Sequence, residues 1–312
     1  MKNKTIGIII PIMNEEGNIS AIVQRLDKVF TEKAMSIYDP YILFIDDGSS
    51  DNTLKAIKTI MENNKSVHYI SFSRNFGHQY ALKAGLDHVK TDCAICMDGD
   101  LQHPPELIPA LVKEWENGHE IVNTERDDKK TGFFKRITSM MFYGLVNKLG
   151  EIKISQGSAD FRLMDRAVVD ALSNFNELPL FYRGLISWLG FKTVSIKYSP
   201  EQRSWGKTKY SLKKMFSFAI NGITSFSTKP LRIATYIGLF ISLMAFAFGI
   251  YALYTKFFTD NAIEGWTSLA ILLSFLSGIQ LFILGIIGEY LGKLFMAQKA
   301  RPKYIIKEKK LG

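Results

Sequence analysis

From Ile233 to Thr255, and again from Gly265 to Gly288, the chain carries no Asp, Glu, Lys or Arg. Each run exceeds the roughly 20 residues a helix needs to cross about 30 Å of hydrocarbon. One such run suits a buried core helix; two in succession point to a pair of membrane spans over about residues 231–255 and 266–290. Lys229 and Arg232 precede the first run. Lys293, Lys299, Arg301, Lys303, Lys307, Lys309 and Lys310 follow the second, while the loop between offers only Lys256 against Asp260 and Glu264. This asymmetry predicts both termini and the rest of the chain on the cytosolic side of a plasma or inner membrane, with the short loop outside. Neither run is N-terminal and Met1–Thr5 is polar, so no signal peptide is expected. The net charge of +9 then falls largely beside the bilayer, where it meets anionic lipid. No nucleic-acid-binding motif accompanies it, and a nucleic-acid partner is not expected.

The first 120 residues have a different texture. Residues 6–12 (IGIIIPI) form a continuous apolar, β-branched run, the mark of a strand buried on both faces. Helical spacing follows over Ile19–Phe30, then a strand over Tyr41–Ile45, a helix over Asn52–Asn63, a strand over Val67–Phe72, a helix over His78–Val89, a strand over Cys93–Met97 and a helix over Pro104–Asn117. Strict alternation with short loops predicts an α/β fold with a mostly parallel, Rossmann-like sheet. Cys93 and Cys96 form a CxxC, but positions i and i+3 of a strand face opposite ways and no second pair exists, so two reduced, buried thiols are expected. After residue 120 the pattern changes. Thr131–Leu149 reads equally as a helix on the membrane surface or one facing the core. Tyr210–Phe226, with Lys213 and Lys214 beside Met215, Phe216 and Phe218, reads as an amphipathic juxtamembrane helix. The expected organisation is a catalytic domain over 1–209, that helix over 210–228, a two-helix hairpin over 229–292 and a basic tail over 293–312.

In an open parallel sheet, ligands bind beyond the carboxyl ends of the strands. Four polar loops fall there: NEEG, DDGSSD, SRNFG and DGDLQH. Any one is an ordinary turn; four converging on one edge describe a site. In the last of them Asp98 and Asp100 flank Gly99. Two like charges so close are tolerable if both are solvated or if a cation lies between them. Hard carboxylate oxygens suit Mg²⁺ or Mn²⁺, ions that keep water and bridge substrate phosphates, and the glycine permits close backbone approach to a ligand. Arg74 and His78 read equally as donor contacts or structural groups, and His103 as a further metal ligand or a turn residue.

The stretches IIIPIMNEEGNI, FIDDGSSDNT, SFSRNFGHQYAL, MDGDLQHPPE, SADFRLMDR and RSWGKTKYSL together resemble the family 2, GT-A glycosyltransferases, and more narrowly the polyprenyl-phosphate enzymes: dolichyl-phosphate mannose synthases and the bactoprenol (undecaprenyl-phosphate) glycosyltransferases. The resemblance spans roughly residues 5–230, and the two-span tail matches the bacterial members. It implies a nucleotide-sugar donor, an undecaprenyl phosphate acceptor, a divalent metal, inversion at the anomeric carbon and a homo-oligomer, with a tetramer as one form. It also implies roles. Pro11, Met13 and Glu15 match the nucleotide-contacting first loop. Ile45, Asp46 and Asp47 match the loop holding base and ribose. Asp98, Gly99, Asp100 and Gln102 match the metal and diphosphate motif. Arg126 matches a position near the phosphates, and Asp160 the acidic residue near sugar and acceptor, read either as a base or orienting group or as half of a salt bridge to Arg162 or Arg166. Arg203 and Lys209 match the basic loop over diphosphate and lipid phosphate, with Thr208 where many relatives have serine.

Two other readings fit less well. A processive polysaccharide synthase carries a QxxRW-like motif and more spans, whereas Gln202-Arg203-Ser204-Trp205 lacks that spacing. A non-catalytic nucleotide-binding scaffold has no need of both DGD and RSWGKTKY.

Overall fold

The computed structural model describes residues 3–126, 158–175, 182–199, 224, 227–258 and 265–311. Four parallel strands form the centre of its sheet: β1 (Lys4–Ile12), β2 (Tyr38–Asp46), β3 (Val67–Phe72) and β4 (Cys93–Cys96). They alternate with α1 (Ile19–Thr31), α2 (Thr53–Asn63) and α3 (His78–His88), and α4 (Ile108–Glu116) follows β4. Burial explains the unbroken apolar runs. In β1, Ile8 and Ile10 enter one core cluster with Ile22 and Leu26 of α1, while Ile9 enters the cluster on the opposite face with Ala84 of α3; all are fully buried. A strand covered by helices on both faces has no polar side to show.

The later strands leave this regime. β5 (Ile121–Arg126), β6 (Ser158–Asp165), β7 (Thr193–Tyr198) and β8 (Ile306–Lys310) complete a sheet of order β7-β5-β6-β4-β1-β2-β3-β8. β6 runs antiparallel to both β4 and β5, β7 is parallel to β5, and β8 is antiparallel to β3. Helices α5 (Arg166–Ser173) and α6 (Tyr182–Leu189) cover the α3 face. Because β6 is antiparallel, its start lies at the carboxyl edge of β4. Arg162 pairs with Cys96 there, so Asp160 arrives at the edge where β1–β4 deliver their loops.

Cys93 and Cys96 are buried free thiols in opposite core clusters, as their spacing predicts. Burial pushes both thiol pKa values up, that of Cys96 to about 12.

Two long helices follow: α7 (Lys229–Phe258) and α8 (Trp266–Gln298). At 1.5 Å per residue they are about 45 and 50 Å long, more than a bilayer's hydrocarbon requires. Both contain segments long and apolar enough to span a membrane, Lys229–Tyr251 and Phe275–Gln298, and neither segment is buried by the rest of the chain. Large side chains such as Phe240, Phe246, Leu281 and Phe282 are exposed along them, tolerable where lipid replaces water. The expected basic tail over 293–312 differs: α8 continues to Gln298, and the chain then rejoins the sheet as β8. The stretches 131–149 and 210–223, with Arg203, Lys209 and Thr208, lie outside the described residues.

Candidate active site

The first three strand-end loops are stitched to one another. Backbone N–H groups of Ser50 and Asn52 donate to Asn14 Oδ1 (2.8 Å) and Glu16 Oε2 (2.9 Å). The Asn14 and Glu15 N–H groups donate back to Ser49 Oγ (3.0 Å) and Thr53 Oγ1 (2.9 Å). Glu15 is buried and also accepts from Asn18 Nδ2 (2.7 Å). Pro11 pairs in register with Ile45, and Met13 meets Asn75 of the third loop.

The neighbouring aspartates of the second loop are likewise consumed by the fold. Asp46 accepts from the Ser49 N–H (2.9 Å) and the Ser71 hydroxyl (2.8 Å). Asp47 accepts from the N–H groups of Phe76 (2.7 Å) and Gly77 (2.9 Å). Both carboxylates are nearly inaccessible, at 1% and 4% exposure, so in this structure they hold loops rather than face a ligand. Burial is the leading influence on Asp47 and raises its pKa against the lowering effect of those N–H groups. Gly48 has φ +71°, and a Cβ there would lie 2.4 Å from the Arg74 backbone, so the second and third loops touch where only glycine fits.

The Asp98–Asp100 loop is open where the second is closed. A Cβ on Gly99 would sit 2.5 Å from Ile12 Cγ2, so contact with β1, and not only access for a ligand, demands glycine. Leu101 takes a left-handed backbone, φ 61°, costly for a leucine, between Asp100 and Gln102. Asp100 Oδ1 accepts the Gln102 N–H at 3.1 Å, an Asx-type turn. Asp98 keeps 30% of its side chain exposed and meets two imidazoles, His78 Nε2 at 2.9 Å and His103 Nε2 at 3.6 Å.

The His103 tautomer follows from its other nitrogen. Nδ1 accepts the Asp98 backbone N–H (2.9 Å), so in the neutral ring the proton is on Nε2, facing Asp98. Burial lowers the His103 pKa against the raising effect of the Asp98 charge. Its stack against Phe161, with centroids 5.2 Å apart, fixes the plane. His103 therefore supports the Asp98 loop through its ring. His78 is the opposite case: although burial opposes its charge, the hydrogen bond to and charge of Asp98 raise its pKa to about 9. Burial likewise disfavours the Asp98 anion, yet His103, His78 and Arg126 outweigh it and hold its pKa well below the usual carboxylate range.

Two further groups close the edge. Arg126, at the end of β5, donates to the Tyr198 hydroxyl (3.2 Å) at the end of β7 and lies 3.4 Å from His103. Asp160 accepts from Arg183 Nε (3.0 Å) and Nη2 (3.2 Å) and from Arg162 (3.3 Å). Of the two expected salt-bridge partners, Arg162 is present but Arg166 is not; Arg166 instead pairs with Asp170 on α5. The geometry substitutes Arg183, the second residue of α6, which no spacing in the sequence ties to Asp160. Burial disfavours the Asp160 anion, but the two guanidiniums more than offset it and lower its pKa.

Among the described residues no group of three or more His, Cys, Asp or Glu side chains forms a metal cage. The oxygens of Asp98 and Asp100 still fit a hard divalent cation that takes its remaining ligands from water and a diphosphate. Gln102 enters this geometry through its backbone.

Residues 7–173 match the family model for glycosyl transferase family 2, and residues 229–294 match a model described as the GtrB C-terminal hairpin. An uncharacterized glycosyltransferase, YkcC, of Bacillus subtilis (strain 168) is 42% identical over 96% of this chain and 93% of its own. A prophage bactoprenol glucosyl transferase homolog of Escherichia coli (strain K12) is 42% identical over 98% of this chain and 99% of its own, and the bactoprenol glucosyl transferase of Shigella phage SfV is 40% identical over the same shares. Among solved structures, the mannosyltransferase PcManGT of Pyrobaculum calidifontis, in complex with GDP-Man and Mn²⁺, superposes with a TM-score of 0.52 at 12% identity, over 93% of this chain and 88% of that one. The sheet with its carboxylate-lined carboxyl edge is thus a GT-A fold, and with the family match over its catalytic half the chain belongs to glycosyl transferase family 2.

Proposed function

We propose that this glycosyltransferase moves a sugar from a nucleotide-sugar, a UDP-linked hexose or N-acetylhexosamine, to undecaprenyl phosphate, with inversion at the anomeric carbon. The observation that carries the reading is the union of the open Asp98–Asp100 edge with an apolar hairpin rooted in the same sheet. The chain leaves the sheet after β7, runs through α7 and α8, and returns to it as β8. Only a short segment separates the end of α8 from β8, so the hairpin's second end holds the sheet on the membrane side where that helix ends. With the flanking positive charge, that side is the cytosol. A soluble acceptor has no need of such an anchor. A long isoprenoid phosphate does, because its chain stays in the bilayer while its headgroup sits at the surface. The relatives named as bactoprenol glucosyl transferases support the same acceptor.

In this reading Asp98 and Asp100 hold Mg²⁺ or Mn²⁺, with Gln102 completing the loop. When bound, the ion neutralises charge on the departing diphosphate. Pro11, Met13, Glu15, Ile45, Asp46 and Asp47 shape the nucleotide side, the two aspartates by fixing loops. Arg126 adds fixed positive charge beside the diphosphate, and Arg203 and Lys209 are assigned to the diphosphate and lipid phosphate by their match to the family motif. The attacking lipid phosphate oxygen is already anionic and needs no strong base. Asp160, kept ionised between two guanidiniums, is a poor proton acceptor. It instead faces positive charge developing on the sugar ring and orients the acceptor. Shared anchoring in the membrane favours a homo-oligomer.

A donor panel tests this. Purified protein in detergent receives undecaprenyl phosphate, Mn²⁺ or Mg²⁺ and one nucleotide-sugar at a time, and lipids are read by mass spectrometry. One donor yielding a lipid-phosphate sugar, absent with Asp100→Ala, is the expected result. Metal-dependent nucleotide binding with no lipid product from any donor sinks the acceptor assignment.

A further inference from the structure

The C-terminal segment does more than finish the chain. Without β8, β3 would be an edge strand with a row of unpaired N–H and C=O groups. β8 pairs Tyr69 with Lys310, Ile70 with Lys309, Ser71 with Glu308 and Phe72 with Ile306, with an irregularity between Ser71 and Phe72. Bulges of this kind re-aim a strand beside a functional site. Pairing then continues past the strand: the Ser73 N–H donates to Ile305 O at 3.0 Å. Ser73 opens the third loop, and that loop ends at His78, which holds Asp98.

Side chains reinforce the link. Tyr304 stacks on Phe72 with centroids 5.1 Å apart, and Phe72 meets Phe76 edge-on at 5.7 Å. Three rings thus run from the C-terminal segment into the third loop, whose far side is pinned by Asp47 through Phe76 and Gly77. The segment is moored independently of this loop. The Tyr304 hydroxyl donates to Asp87 (3.1 Å), Lys303 Nζ to Phe175 O (2.6 Å), and Lys58 pairs with Glu308 at 2.7 Å. Upstream, Ala300 takes a left-handed backbone and Pro302 follows, so α8 stops abruptly. Only Lys299–Pro302 lie between Gln298 at the end of α8 and Lys303, a span of at most roughly 18 Å.

We propose that Lys303–Lys310 is a positioning strap. It sets the third loop, and through His78 the Asp98 carboxylate, from the point where the chain leaves the membrane hairpin, and Tyr304 is its key positioning residue. The proposal rests on the transferase reading above. It makes the donor site dependent on a residue that contacts neither substrate.

The test uses full-length Tyr304→Ala, Tyr304→Leu and Tyr304→Phe proteins in detergent. KM for the nucleotide-sugar, KM for the lipid phosphate and kcat are measured with Mn²⁺, alongside melting temperature. Tyr304→Ala is expected to raise the donor KM about 10-fold or more while the acceptor KM moves less than 2-fold, and Tyr304→Phe, which keeps the ring stack, to restore most of it. Should the alanine variant fail to fold, Tyr304→Leu, which keeps the apolar bulk, is expected to show the same split. A fall in kcat or melting temperature with both KM values unchanged means the strap is only structural and overturns the proposal. Wild-type protein that binds UDP and metal but transfers nothing fails the acceptor reading instead; UDP affinity of the variants then decides the strap, which stands if Tyr304→Ala weakens it and Tyr304→Phe does not.

Discussion

Two sets of carboxylates stand side by side at the carboxyl edge of the sheet, and they are satisfied in opposite ways. Asp46 and Asp47, at the end of β2, accept from neutral donors: one serine hydroxyl and three backbone N–H groups. Asp98, after β4, and Asp160, near the start of β6, are held by cations, His78 for one and Arg183 with Arg162 for the other. A carboxylate buried against backbone donors defines loop shape. One held by charge keeps its anion and can exchange a cationic partner for a metal ion with less disruption. The same residue type thus closes loops at the end of β2 and leaves charge-held anions at β4 and β6.

The largest effect that sharpens this contrast is expected at Asp160. Asp160→Asn removes the shared anion from two guanidiniums, one of them, Arg162, only 3% exposed. Breaking a buried pair from one side costs about 3–5 kcal/mol. Denaturant unfolding in detergent should register a loss of that order, and a loss below about 1 kcal/mol would show that the charges are solvated and the contrast false. Next is Asp100→Ala, for which turnover should fall at least about 100-fold, roughly 3 kcal/mol of barrier, with a smaller loss of melting temperature, because the turn that Asp100 Oδ1 holds lies in a half-buried loop. Asp47→Asn should do the reverse. The amide turns a donor toward a backbone N–H and leaves it unsatisfied, at about 1–3 kcal/mol of stability. Turnover per folded molecule should fall far less than for Asp100→Ala; an equal fall would place Asp47 in the chemistry.

How much of this was legible beforehand depended on what each element needs from distant partners. β1 to β4 were readable because strands buried on both faces must be apolar throughout, and the helices between them show their stripes locally. β8 was not, since IKEKK is the composition of a solvated tail, and only the unpaired edge of β3, more than 230 residues earlier by register, makes it a strand. The expected basic tail rested on composition, which carries no strand register. In the site, Asp98-Gly99-Asp100 was visible as a motif, but the reason for Gly99, the Ile12 side chain beneath it, was not. Arg183 was invisible because α6 brings it to Asp160 from 23 positions away, with no periodicity joining them. His103 was visible only as a histidine in a turn, and its role emerged from which ring nitrogen accepts the Asp98 N–H.

The smallest effect is the most discriminating, because it reads charge directly. In the folded chain the two guanidiniums hold the Asp160 pKa below its ordinary value despite burial. As pH falls, the unfolded chain therefore takes up its proton first, near pH 4. The stability that Asp160 supplies is full above that point and is lost as pH drops through it toward the folded value. The amide of the Asp160→Asn variant does not titrate, so the wild-type advantage over that variant should be constant from pH 7 to about 5 and then shrink between about pH 4 and 3. Melting temperatures of the two proteins across that series read it. Asp47, whose pKa is raised, carries the opposite sign: its deprotonation above about pH 4 works against the fold, so the wild-type advantage over Asp47→Asn should grow as pH falls. Gaps that move in the same direction with pH would mean that neutral and charged partners hold these carboxylates alike, and the distinction between the two strand ends would be lost.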